Sequence, residues 1–395
     1  MKKTLIAVAV FGAYAGIASA QSSVTLYGVG DAVMERVEGA GTMHRISSGG
    51  LNGSRFGLRG VEDLGGGLKA VFQFESGFGI DDGTQSQGIA ASPINSQGGT
   101  NALASASNVF VPRGQVTTTR LFGRQAFVGL QTGFGTVRLG RQYTPAGVIA
   151  DVKIGNKTFD VLTVAGSIFG GSVYNSGTVA PLNIVPTNIS YIHGAGAAYR
   201  TDNAVTYMAP TMGGLNFSAQ YSHGLNGADG QSAKGGKHYG VSAGYTAGPI
   251  DVNVGYTEFA DINYLQVGNQ KRRAGLVSGS YDFGFTKLTA YYDSEGRFGT
   301  DPLEITGGIA AFPFGSAVVS VGYAKAKNVT GKKGDDADII TLQGIYNLSK
   351  RTALYTNLVN ITNDGSAALG ALGPTIAPAA GTDSSGIQIG VRHFF

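Results

Sequence analysis

The sequence predicts an all-β fold: a sixteen-stranded antiparallel transmembrane β-barrel of one domain, residues 21–395, behind a leader at residues 1–20. Three observations predict it. First, nothing after residue 20 is apolar enough for a spanning helix, and a closed barrel is the only other structure that satisfies backbone polar groups in lipid. Second, charged residues make up only 14% of the chain while mean hydropathy is just +0.05, as expected where residues alternate between lipid and water. Third, the chain divides into period-2 segments whose connections are alternately short and long.

The leader is a secretory signal. Lys2 and Lys3 give a basic start, Leu5 to Ile17 an apolar core, and Ala18-Ser19-Ala20 an A-x-A cleavage site before Gln21. That core is too short and wrongly flanked for a membrane helix. Loss of Lys2 and Lys3 lowers the formal charge from +4 to +2. With no dense Lys/Arg run, no nucleic-acid partner is expected.

The chain has no cysteine, which excludes thiol catalysis, thiolate metal sites and disulfides; a large closed sheet needs no such staples. It also has no tryptophan, so Tyr and Phe must supply any aromatic girdle.

Leu215, Phe217, Ala219 and Tyr221 alternate with Asn216, Ser218, Gln220 and Ser222. Ile250, Val252, Val254 and Tyr256 alternate with Asp251, Asn253, Gly255 and Thr257. In a strand these sets lie on opposite faces. The small, polar set makes no packed core, so the apolar set faces lipid.

Sixteen segments are expected, beginning with 24–34, 54–63, 68–78, 120–131, 136–143 and 203–209. Next come 215–223, 237–247, 250–259, 271–282, 287–294 and 303–311, and the last four are 316–325, 338–347, 352–361 and 385–395. Tight turns such as Asp63-Leu64-Gly65-Gly66-Gly67 and Ala247-Gly248-Pro249 carry the Gly and Pro that turn geometry favours. Long connections at 35–53, 79–119, 144–202, 224–236, 260–270, 326–337 and 362–384 lie at the other end. The 59 residues from Thr144 to Asp202 exceed an ordinary loop, and loops that long are usually functional. Inserted into the barrel, this one would narrow the lumen.

Five pieces, in order, carry a resemblance: Ser23 to Val29 (SVTLYGV), Ser54 to Leu68 (SRFGLRGVEDLGGGL), Arg120 to Leu130 (RLFGRQAFVGL), Leu139 to Pro145 (LGRQYTP) and Gly390 to Phe395 (GVRHFF). The chain resembles the trimeric sixteen-stranded general porins of Gram-negative bacteria, most closely their β-proteobacterial branch, over essentially all of the mature sequence. The resemblance implies a homotrimer in the outer membrane, in contact with lipid and lipopolysaccharide. It implies a third loop folded into the lumen and bearing carboxylates, opposite arginines on the wall. It also makes the terminal aromatic, Phe395, the signal that the barrel-assembly machinery reads.

By that resemblance Arg55 and Arg141 match wall positions. Arg59 shares the lumen parity of Arg55, and Arg138 faces inward by alternation. Arg141 shares the outward parity of Leu139 and enters the lumen only if Gly140 makes a bulge. Arg120 and Arg124 fall on the outward parity of Ala126 and Val128. The third loop departs from the family pattern. It lacks the Pro-Glu-Phe-Gly-Gly element, and before Asp202 its acids are Asp151 and Asp160. Arg55, Arg59, Arg138, Arg141, Asp151 and Asp160 are thus the expected constriction residues. The competing reading makes the arginines structural braces, paired with Glu62, Asp63 or Glu75.

Among the five histidines none has metal spacing, so neither a metal nor another cofactor is expected. Asp335, Asp336 and Asp338 read as a solvated loop rather than a cation site. On the first strand Leu26, Gly28, Gly30 and Ala32 face outward. Small residues permit close backbone approach, so Gly28, Gly30 and Ala32 are expected in the trimer contact. Phe395 continues the outward row of Ile387, Ile389, Val391 and His393.

The expected function is passive diffusion of small hydrophilic solutes and ions, sieved by size and biased weakly toward anions. A substrate-specific channel with a saturable site for a sugar or organic acid is the alternative. A barrel enzyme such as an outer-membrane phospholipase would need an outward-facing His–Ser pair, and none can be assembled.

Overall fold

A computed structural model describes residues 23–85, 121–150, 154, 200–223, 237–263, 269–296, 301–372, 376 and 378–395. The strands are β1 (Ser23–Glu38), β2 (Thr42–Ser48), β3 (Arg55–Gly65), β4 (Leu68–Gly77), β5 (Gln125–Thr132) and β6 (Gly135–Tyr143). A helical turn α1 (Pro145–Val148) precedes β7 (Arg200–Met208), β8 (Leu215–His223), β9 (Lys237–Ala247), β10 (Ile250–Asn263), β11 (Asn269–Asp282) and β12 (Lys287–Gly296). The rest are β13 (Leu303–Phe314), β14 (Ala317–Lys327), β15 (Ala337–Asn347), β16 (Thr352–Asn363) and β17 (Ser384–Phe394). No helix among the described residues is long and apolar enough to cross a membrane.

Each strand pairs antiparallel with its neighbours, and β1 pairs β17, so the sheet closes. β2 and β3 pair the same edge of β1, through Ala32–Glu38 and Ser23–Val29 respectively. They are the two halves of one barrel strand, interrupted at residues 49–54. The seventeen segments therefore make sixteen barrel strands, as the periodicity predicts.

On β8 and β10 the alternation holds. On β10, Val252 and Val254 are 45% and 49% exposed, while Asn253 and Thr257 between and beyond them are 3% and 0%. With no water in the hydrocarbon layer, the outer apolar row belongs to lipid and the polar row to the lumen.

Two expectations need correction. The connection expected at 35–53 is largely strand: β1 runs to Glu38 and turns directly into β2. Its charges concealed the pattern. Glu35 faces the lumen and pairs with Arg45 directly across the hairpin, while Arg36 pairs with Glu38 on the outer face. The break between β2 and β3 is held by Asp31, fully buried on β1. Its carboxylate accepts the N–H groups of Leu51 at 2.9 Å and Asn52 at 2.7 Å, and the Tyr355 hydroxyl at 2.5 Å.

The second correction concerns the inner face. It is not polar throughout. Toward the long-loop end of β11–β16 it carries Leu276, Leu303, Ile305, Ile339 and Ile361, each at most 1% exposed. These residues form an apolar cluster with Leu369 and Leu372 from the β16–β17 connection. The rule of small, polar inner residues fails there because protein, not water, fills that part of the interior.

The third long connection begins inside the barrel. Thr144 Oγ1 accepts the N–H of Gly147 at 2.9 Å, capping α1 as a threonine N-cap does. Pro145 packs over Gly240 of β9, and Ala146 and Ile149 pack over Gly255 of β10. Residues 151–153 and 155–199, which include Asp151 and Asp160, lie outside the described residues.

Candidate functional site: the arginine wall of the lumen

β3, β4, β5, β6 and β7 are consecutive round the barrel, and their inward positions bring six arginines to one wall. Arg55 and Arg59 lie on β3, in register with Val29 and Thr25 of β1. Four residues at about 3.3 Å per residue separate them by roughly 13 Å along the strand, so the wall carries a ladder of charge rather than one point.

Glu75 of β4 stands at its centre, 4% exposed. Its carboxylate lies 2.7 Å from Arg124 Nε and 3.7 Å from Arg55 Nε, and accepts the Tyr27 hydroxyl at 2.9 Å. Gln73 Nε2 donates to the same hydroxyl at 2.6 Å. Of the three acids that could brace the wall, Glu75 is the one that does so among the described residues. Asp63 instead accepts the N–H of Gly65 within the β3–β4 turn, and Glu62 is exposed.

Arg59 and Arg138 are arranged differently. The Arg59 guanidinium sits 5.1 Å from the centre of the Tyr27 ring, and that of Arg138 sits 4.7 Å from the centre of Phe127. Neither makes a salt bridge among the described residues. Both keep their positive charge beside an aromatic face, which attracts it without neutralising it.

Arg141 is engaged otherwise. Gly140 adopts φ +127°, a backbone angle that a side-chain-bearing residue rarely takes, and the β6–β7 register shifts between Gly140 and Gln142. The bulge the sequence required is present. Within it the Arg141 guanidinium lies 2.6 Å from Asp202 Oδ1, and its Nε donates to the Gly123 carbonyl at 2.6 Å.

Two arginines of the wall were not anticipated. Parity alone places Arg124 outward. It precedes β5, however, so strand alternation does not govern it, and its side chain turns inward to Glu75 and to the Tyr143 hydroxyl at 2.7 Å. Arg200, the first residue of β7, donates to the same hydroxyl at 2.5 Å, with its guanidinium 4.2 Å from the Tyr143 ring centre. The alternation of β7 breaks at Asn203, which has φ +51°, so no parity rule could extend back to Arg200. Arg120 lies outside the described residues.

On the outer face, Gly28 and Phe395 exchange backbone hydrogen bonds of 3.0 and 3.1 Å, and the phenyl ring covers Gly28. Gly30 lies beneath the Ile80 side chain. Among the described residues no group of His, Cys, Asp or Glu is arranged to hold a metal. His238 faces inward against Thr257 Oγ1 at 2.5 Å, and His393 contacts Thr352 Oγ1 at 2.9 Å.

A closed sheet with a lipid-facing exterior and a cationic wall inside it defines a transmembrane β-barrel pore. Comparison with known proteins places it further. The family model for Gram-negative porins matches residues 5–366, and the chain belongs to that family. It is 30% identical to outer membrane porin protein 32 of Delftia acidovorans and 30% identical to an outer membrane porin of Bordetella pertussis, over the full length of both partners in each case. Among solved structures it is similar to an anion-selective porin from Comamonas acidovorans, with 26% identity, TM-score 0.68 and coverage of 95% of this chain and 100% of that one. OmpT of Vibrio cholerae, solved in a trimer form, shares the fold at 15% identity and TM-score 0.59, over 95% of this chain and 99% of that one. The protein is a porin channel of the Gram-negative outer membrane.

Proposed function

We propose that the pore passes small hydrophilic solutes and ions passively, with a weak preference for anions, and that it performs no catalysis. The observation that carries this reading is the imbalance on one wall: Arg55, Arg59, Arg124, Arg138, Arg141 and Arg200 against Glu75 and Asp202. A narrow passage with low-dielectric walls focuses such a field. The similarity to an anion-selective porin from Comamonas acidovorans, over 95% of this chain and 100% of that one, supports it. The test is the reversal potential of the purified protein in a planar bilayer across a salt gradient. A cation-selective wild type overturns the reading.

A saturable site for an organic acid is the second reading. Arg59 and Arg138 on the lumen wall make no salt bridge among the described residues, and guanidinium groups so placed suit a carboxylate. Concentration-dependent block of chloride current by succinate tests it.

The remaining features follow the same reading. Residues 1–20 direct export, and residues 21–395 form the single barrel domain. The chain assembles as a homotrimer through the outer wall of β1, with Gly28, Gly30 and Ala32 near the contact and Phe395 and Ile80 presented on it. Phe395 is the end that the barrel-assembly machinery reads. Asp151 and Asp160 supply the loop side of the constriction, which the third connection forms inside the lumen. Lipopolysaccharide surrounds the outer rim.

A further inference from the structure

We infer that the outer wall carries a lipid site at the long-loop end of β1: Arg36 and His44 hold the phosphate of a phosphorylated glycolipid of the outer leaflet, and two apolar grooves meeting at Arg36 take its acyl chains. The inference deepens the lipopolysaccharide contact proposed above and rests on it.

Strand register sets the site. On the outer face Arg36 of β1 stands opposite His44 of β2 on one side and Ile387 of β17 on the other. One step toward the middle of the barrel, Met34 stands between Ile46 and Ile389. One step toward the long loops, Glu38 lies opposite Ser385, which itself lies opposite Asn360 of β16. The wall therefore changes from apolar to charged at Arg36. A charge on the lipid face is costly at the bilayer midplane and nearly free at the interface, so Arg36 marks the level of the head groups. Long loops of such barrels are extracellular, which makes these the head groups of the outer leaflet.

The surface beside Arg36 is concave. One groove, of about 330 Å³, is lined by Leu342, Leu358 and Ile387 and edged by Arg36, Asn360 and Ser385. A second, of about 460 Å³, is lined by Met34, Ile46 and Ile389 and edged by Arg36 and His44. Both fall in the size range of small-molecule sites, roughly 300–1,000 Å³. Met34 and Ile46 are each 60% exposed, so the described chain leaves these grooves to something else.

The polar groups suit a phosphate. Arg36 Nη2 pairs with Glu38 Oε1, and Glu38 Oε2 accepts the Ser385 hydroxyl at 3.2 Å. Glu38 thus fixes the guanidinium while engaging only part of a fork that carries five N–H donors. His44 makes no hydrogen bond or salt bridge among the described residues. A phosphate placed between the two receives charge-assisted hydrogen bonds from the fork and an N–H from the imidazole.

A second copy of the chain is the competing occupant. The subunit contact proposed at Gly28, Gly30 and Ala32 lies farther down the same strand, with Ala32 about 13 Å from Arg36. A partner packed over Arg36 and His44 would take both out of water, which is unfavourable without matching acceptors. A lipid phosphate supplies the acceptors while its chains fill the grooves.

Native mass spectrometry of the folded mature barrel in detergent, titrated with purified lipopolysaccharide, tests this. Wild type should retain the lipid, and dephosphorylating the lipid should weaken retention roughly tenfold, the worth of a charge-assisted hydrogen bond. Arg36→Gln with His44→Gln should reproduce that loss. Leu358→Trp, which fills a groove and leaves Arg36 and His44 in place, should also weaken retention, and Lys325→Gln on the outer face of β14 should not. Unchanged retention in the Arg36/His44 variant overturns the site. So does equal retention of phosphatidylglycerol, which would make the surface a general anionic-lipid contact. A variant that loses its heat-resistant oligomer but keeps its lipid assigns the grooves to a second copy instead. Equal losses in the Arg36/His44 and Lys325 variants overturn the site and leave a lipopolysaccharide contact round the rim standing, whereas a wild type that retains none overturns both.

Discussion

Phe395 closes the barrel onto Gly28: the two residues exchange both backbone hydrogen bonds, and the Phe395 ring occupies the space a side chain at position 28 would need. A Cβ built there falls 2.2 Å from Phe395 Cζ. The first and last strands thus meet through a residue with no side chain and the terminal aromatic. Gly28→Leu and deletion of Phe395 should therefore produce one shared defect, a sharp fall in surface-exposed folded barrel with precursor left in the periplasm. The double variant should be no worse than either single one, because both remove the same contact. Unchanged surface levels in the deletion would remove the assembly role of Phe395.

Because Gly28 serves that internal contact, the proposed subunit contact is better probed at Ala32. This residue faces outward from β1 and pairs with Val391 of β17. Ala32→Trp should abolish the heat-resistant oligomer on unboiled gels while a folded monomer persists. Survival of the oligomer would move the contact to another wall.

The selectivity of the pore should divide along the pairing of its arginines. Arg59 and Arg138 make no salt bridge among the described residues, whereas Arg141 is held by Asp202. A unit charge about 7 Å from an ion, at an effective dielectric constant near 60, is worth about 1 kcal/mol. Removing both Arg59 and Arg138 by alanine substitution should lower the anion-to-cation permeability ratio several-fold, and Arg141→Ala should change it less. The preference should also fade at 1 M salt, where the Debye length is about 3 Å. Reversal potentials measured at two ionic strengths decide both points.

Glu75→Gln offers a test of opposite sign. It removes a negative charge from the centre of the wall, so anion preference should rise. It also weakens the hydrogen bonds from Arg124 and Tyr27, at a cost of about 1–3 kcal/mol. A more selective yet less heat-stable barrel is the expected pair of results. Lower anion preference in the variant would contradict the field argument.

Asp31→Ala should loosen the joint between β2 and β3. It leaves the N–H groups of Leu51 and Asn52 and the Tyr355 hydroxyl without their acceptor, and buried groups left unmatched cost about 1–3 kcal/mol each. The temperature at which the unboiled band shifts should drop measurably. Proteolysis should then find a cleavage site within residues 49–54 that is closed in the wild type.

The sequence by itself determined the barrel. Side-chain parity is a local property of an extended chain, and lipid and water sort residues by parity alone, so Val252, Val254 and Tyr256 could be set against Asn253 and Thr257 with no partner strand in view. The same logic placed Arg55 and Arg59 inward and showed that Arg141 needed a bulge at Gly140. Parity tells only which face a strand residue takes. It is silent where a strand has not begun, as at Arg124, or where the backbone breaks, as before Asn203 and Arg200. Nor does it say what stands opposite. That Arg124 meets Glu75, 49 residues earlier, that Phe395 lies on Gly28, and that Leu369 and Leu372 fill the mouth beside Ile339 and Ile361 were decided by tertiary structure. Closing the sheet brings together residues remote in the chain, and the inner face of a barrel stays polar only where water, rather than another part of the chain, occupies the lumen.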